Sequence, residues 1–225
     1  MTTFIEQRVT CGVCGHDSEF DGLGSTNEMG YPDLDTRPPE MARSTMIWWL
    51  QECPSCGYCS EYIGQVSFGE RVIVESPAFA DFRAGLAELP DLARVFRTAA
   101  FIAAERGLNA EAFHHTLHEA WVHDDLGDTV RATAARLNAV DFMNLAHQEH
   151  ETVVDEDGFD EAVKVDLLRR AGAFDRAAEI CEGVLTHTRH TGVGPIMAFE
   201  LGLCRKRDAK AHTMDEVPDR SRKWG

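Results

Sequence analysis

The stretch ECPSCGYCS, residues 52–60, carries three cysteines at two-residue gaps: Cys53, Cys56 and Cys59. Upstream, CGVCG supplies Cys11 and Cys14. Two CxxC pairs are the donor pattern of a four-thiolate zinc site, because each tight turn offers two sulfurs to one tetrahedral ion. Gly15 and Gly57 directly follow the second cysteine of each pair. A glycine there can take positive φ and turn backbone N–H groups toward the sulfurs. The reading is therefore Zn2+ held by Cys11, Cys14, Cys53 and Cys56, with a structural role, since four thiolates leave no open coordination position. Thirty-eight residues lie between Cys14 and Cys53, more than the usual spacing, so the two halves of the site are split by a long insertion.

Cys59 is a fifth thiol. Cys53-x2-Cys56-x2-Cys59 resembles the start of an iron–sulfur run, but Ile63 stands where its fourth cysteine belongs. A cluster completed by Cys11 or Cys14 is one alternative, and a redox thiol beside the zinc is another. The simplest reading of Cys59 is a small, partly buried side chain opening the next strand. His16, just past the first turn, is a spare ligand that four cysteines make unnecessary.

The sequence changes texture along its 225 residues. Residues 1–75 are rich in Gly, Pro, Cys and aromatics; FIEQRV and STMIWWLQE read as strands that each run into a CxxC, and GQVSFGERVIV reads as a third strand or a hairpin. In the second strand Trp48 and Trp49 are expected on opposite faces. This is the pattern of a zinc ribbon with an insertion at 16–45. Residues 76–91, punctuated by Pro77 and Pro90, read as a linker. Residues 92–225 read as about six helices. In FDRAAEICEGVL, Phe174, Ala177, Ala178, Cys181, Val184 and Leu185 share one helical face. Glycines 107 and 172 each close one helix before another begins, which suggests a tetratricopeptide-like array or bundle. The segment 129–148 is apolar on more than one face, as in a helix packed on both sides. The expected class is α+β.

Net charge is −16, with 38 Asp and Glu against 22 Lys and Arg. Within residues 1–75 there are twelve acids, four arginines and no lysine. Such a surface repels phosphate backbones, which argues against nucleic-acid binding. No apolar run is long enough to cross a membrane and the start lacks a signal-peptide pattern, so the expected location is cytoplasmic. The basic tail DRSRKWG reads as a frayed end.

Two further features bear on function. YPDLDTRPPE places Asp33, Asp35, Arg37 and, just beyond, Arg43 in an extended loop that either binds a small ligand or pairs its own charges. The histidines of FHHTLHEAWVH, His114 and His118 among them, read as the border of an apolar stripe. His187 and His190 lie near a helix end, and Cys181 and Cys204 read as core. There is no phosphate-binding glycine loop, GxSxG or HExxH, so an enzyme is less expected than a protein-binding module.

The ordered phrases VTCGVCG, DLD, CPSCGY, LHEAWVHDDLGD and LLRRAGAFDRAAEI together resemble the bacterial family known as domain of unknown function 2225. The resemblance covers most of the chain. It implies a split zinc ribbon on Cys11, Cys14, Cys53 and Cys56 followed by a tetratricopeptide-like helical region, and it implies no activity. The sequence departs in reading CGVCG for CPxCG, and in placing Cys59 where a small residue is expected.

Overall fold

FIEQRV lies in β1 (Thr3–Thr10), which pairs antiparallel with β2 (Asp17–Ser25). Thr10 faces Asp17, so the CGVCG turn caps the hairpin. The second CxxC caps a smaller hairpin of β3 (Gln51–Glu52) and β4 (Cys59–Ser60). The computed structural model describes residues 2–154, 158–187 and 192–218. Two small antiparallel sheets and eight α-helices among these residues make the α+β class.

Three local expectations are corrected. STMIWWLQE is mostly a 3-10 helix, Arg43–Trp48. Local bonds favour the turn over a strand: Thr45 Oγ1 donates to Ala42 O at 2.7 Å, and Trp49 Nε1 donates to Thr45 Oγ1 at 2.9 Å. The two tryptophans do diverge, though on a helical turn. Trp48 packs on Phe4 of β1, with centroids 4.4 Å apart, and Trp49 packs on Trp121 in the helical region. GQVSFGERVIV contains helix α1 (Phe68–Val74) instead of a strand. Ser67 and Glu70 form a reciprocal capping box there, which satisfies two otherwise unpaired N–H groups. Residues 76–91 hold helix α2 (Pro77–Ala84), capped by Ser76, and its Phe79 is buried.

The helical region comprises α3 (Asp91–Glu105), α4 (Asn109–Asp125), α5 (Thr129–Gln148), α6 (Phe159–Arg170), α7 (Phe174–His187) and α8 (Gly194–Lys206). Each helix packs against the next in sequence. Glycines 107 and 172 have φ of +73° and +79° and end α3 and α6. In both turns the following N–H reaches back into the helix, Leu108 to Ala103 O and Ala173 to Leu168 O. Helix α5 packs between α4 and α6 through Ala132, Ala135, Ala139, Val140 and Met143. On α7, Ala177 and Cys181 are buried with Cys204 of α8 in the main core. His190 and residues 219–225 lie outside the described residues, as does the side chain of His187. Among the described residues, no helix is long and apolar enough to cross a membrane.

The ribbon has more core than its metal pattern suggested. Val9, Val13, Tyr58 and Ile63 pack with Val74 of α1, Phe79 of α2 and Ile102 of α3. Arg71 of α1 donates to the carbonyls of Gly12 and Val13, gripping the first CxxC turn. Arg83 of α2 reaches Glu52 at 2.5 Å, beside the second.

Candidate metal centre

The two CxxC turns are built alike. Cys11 N donates to His16 O and Cys53 N to Tyr58 O, each at 2.8 Å. Gly15 N donates to Cys11 O and Gly57 N to Cys53 O, each at 2.9 Å. Gly15 and Gly57 have φ of +76° and +75°, which permits these closures without Cβ strain. At Gly57 an added Cβ would also meet Arg83 Nε at 2.7 Å.

The turns face each other and their sulfurs interleave. Cys11 Sγ lies 3.7 Å from Cys56 Sγ, and Cys14 Sγ lies 3.6 Å from Cys53 Sγ. All four sulfurs fall within 4.8 Å of one another. A zinc–sulfur bond of about 2.3 Å makes the edge of a regular tetrahedron about 3.8 Å, so the spacing fits one four-coordinate ion. It is far too long for a disulfide, which needs about 2.05 Å. Among the described residues this is the group of His, Cys, Asp and Glu whose donor atoms converge for a metal.

The thiols are unequal. At Cys14 desolvation, which works upward, is outweighed by the His16 N–H and the neighbouring Cys53 and Cys56 thiols, and its pKa falls to about 7. Burial pushes Cys53 and Cys56 up, and the adjacent sulfurs add to this. Four crowded sulfurs cannot all ionise against one another, but a divalent cation removes the conflict.

Cys59 stands outside the cluster, so an iron–sulfur site that uses it as a ligand does not form. It is 3 % exposed, opens β4 and donates to Gly57 O. Burial pushes its thiol well up, followed by the effect of Glu52. A redox role required exposure and a ready thiolate. His16 is exposed and outside the cluster.

The loop acids and arginines are all paired. Arg43 bonds Asp33 at 2.6 Å. Asp35, fully buried, accepts from Arg170 at 2.5 Å and from Trp121 Nε1 at 2.9 Å. Arg37 bonds Asp125 at 2.6 Å. Asp33 and Arg43 therefore pair within the loop, and Asp35 and Arg37 dock it on α4 and α6. A cavity of about 410 Å³ does lie beside it, lined by Tyr31, Leu34, Val163, Ile196 and Met214. Trp48 and Trp49 do not line it.

The histidines of α4 are more than a border. His118 sits against the rings of Trp49, Phe96 and Trp121, with centroids 4.8 to 5.2 Å away. Burial holds its pKa well below the ordinary imidazole value. His115, which the sequence reading passed over, lies beside Glu111. The signal was there: Glu111, His115 and His118 fall at i, i+4 and i+7 on one face.

Comparison with known proteins found no matching family model, no similar curated protein and no similar solved structure.

Proposed function

We propose that Cys11, Cys14, Cys53 and Cys56 hold one structural Zn2+ and that the helical region serves as a protein-interaction module. The zinc reading rests on one observation: the interleaved sulfurs stand 3.6 and 3.7 Å apart, close to the edge of a zinc–thiolate tetrahedron. The ribbon-then-helices order, read with the resemblance to the domain of unknown function 2225 family, belongs to the same proposal. Purified full-length chain is expected to carry one zinc by elemental analysis. Cobalt substitution is expected to give the intense sulfur-to-metal absorption of a four-thiolate site. A folded protein with no metal, or a disulfide linking these cysteines under reducing conditions, overturns it.

The interaction reading is supported by Leu126 and Val130, exposed on either side of the α4–α5 turn at 58 % and 78 %. Apolar side chains grouped on a charged surface mark contact sites. A protein recovered from host extract with the full chain, and lost with Leu126→Asp/Val130→Asp, supports this reading. Recovery of the same proteins by both chains removes it.

A further inference from the structure

A second constellation of ligating side chains lies where the ribbon meets the helices. One face of α4 carries Glu111, His115 and His118 on successive turns. It looks into an open cavity of about 500 Å³, also lined by Ser60 of β4, Glu70 of α1, Ala99 and Ile102 of α3, and Thr152 after α5. Glu111 Oε1 lies 3.7 Å from His115 Nε2. The rings of His115 and His118 have centroids 6.3 Å apart and stand at 73°.

These imidazoles are not used up by the fold. His115 Nδ1 is buried with no hydrogen-bond partner, an arrangement that native structures rarely leave unfilled. His118 packs on the rings of Trp49, Phe96, Trp121, His114 and His115 and makes no hydrogen bond among the described residues. The contrast is His114, whose Nε2 is spent on Val153 O at 3.0 Å. Two other donors in the cavity are committed, whereas Ser60 Oγ, also in its wall, is buried without a partner. Glu70 caps α1 and accepts from Tyr58 and Arg106, while the Cys59 thiol is bonded to Gly57 O.

We propose that Glu111, His115 and His118 bind a divalent first-row transition-metal ion in this cavity, with water completing its coordination. Two imidazoles and one carboxylate form the donor set such ions accept, and a cavity of this size leaves room for water. Metal–nitrogen bonds of about 2.0–2.1 Å place two bound imidazole centroids roughly 5 Å apart, so the rings close by about 1 Å on binding. Glu111, 47 % exposed and held only by a 4.0 Å contact to Arg106 and by His115, is free to swing inward. The neutral state that burial imposes on His118 leaves its lone pair available at neutral pH.

The test uses full-length chain purified without a histidine tag, titrated calorimetrically with Ni2+ while its zinc content is followed. The expected result is one Ni2+ bound per chain with no loss of zinc. Glu111→Gln and His115→Ala are each expected to weaken binding by at least about tenfold, and His114→Ala to leave it unchanged. Glu111→Gln changes a half-exposed group, so it reads the site without risking the fold. No Ni2+ uptake, uptake only by zinc displacement, or uptake indifferent to Glu111→Gln and His115→Ala overturns the proposal. The proposal does not depend on the four-cysteine site. If the protein proves to hold no zinc, the Ni2+ titration and its response to Glu111→Gln are read unchanged.

Discussion

Asp35 shows how much one carboxylate can organise. Its two oxygens serve the backbone of Arg37, the indole of Trp121 and the guanidinium of Arg170, all away from solvent. Arg170 in turn bonds Asp124 of α4 at 2.6 Å. Asp35→Ala leaves the buried Trp121 N–H without its acceptor and Arg170 with Asp124 and Asp166 alone, and the expected loss is about 2–3 kcal/mol in urea unfolding. Arg205→Ala, at an exposed pair with Glu182, is expected to change stability by less than about 1 kcal/mol. Histidine adds a pH term. His114 and His118 are both held below the ordinary imidazole value, first by burial. Below about pH 6.5 the unfolded chain therefore takes up protons that the folded chain refuses. Stability is undiminished above that pH and falls as pH drops below it. Urea midpoints measured between about pH 7.5 and pH 5.5 are expected to decline, and His118→Gln is expected to flatten part of that decline.

Among the elements, helix ends carried the information that strand propensity obscured. Val72, Ile73 and Val74 read as strand, yet Ser67 and Glu70 stand at capping-box spacing and decide for α1. β-Propensity is a weak guide in a short segment, because it depends on having a sheet to join. The same misreading affected Thr45–Trp48, where only Gln51 and Glu52 found a strand partner. Of the later helices, α3 and α6 were legible because Gly107 and Gly172 close them, and α7 because its apolar residues share one face. The four cysteines were legible because their donor chemistry sits within two short turns. The destinations of Asp35 and Arg37 were not, since their partners lie on α4 and α6, far away in sequence. Two changes test the helix ends. Ser67→Ala is expected to cost about 1 kcal/mol by thermal unfolding. His150, which ends α5 at φ +60°, occupies a left-handed conformation that disfavours any side chain. His150→Gly is expected to raise stability by about 1 kcal/mol, seen as a higher urea midpoint.

For the whole molecule, the ribbon and the helices have separate cores, and only the first contains cysteines of the candidate metal cluster. The ribbon's small core includes Cys11 and Cys53, whereas the larger core rests on α3–α8 with Leu34 of the insertion and Met46 of the 3-10 helix. With the proposed zinc in place, chelation is expected to release backbone amides of β1–β4 to hydrogen exchange first, with those of α4 and α5 protected for longer. Uniform loss of protection across the chain would show that the metal holds the whole fold.

The bond from Arg170 to Asp35 spans 135 positions of the chain. During synthesis the CxxC turns emerge early, and residues 11–56 suffice to supply all four sulfurs. The partner of Asp35 follows much later, on the order of 10–30 s at about 5–20 residues per second. The nascent insertion thus leaves the ribosome with a buried-to-be carboxylate still in water, and its docking must wait for α6. A ribosome stalled before residue 170 is expected to hold a ribbon that can already load metal while the 31–46 loop remains open to protease.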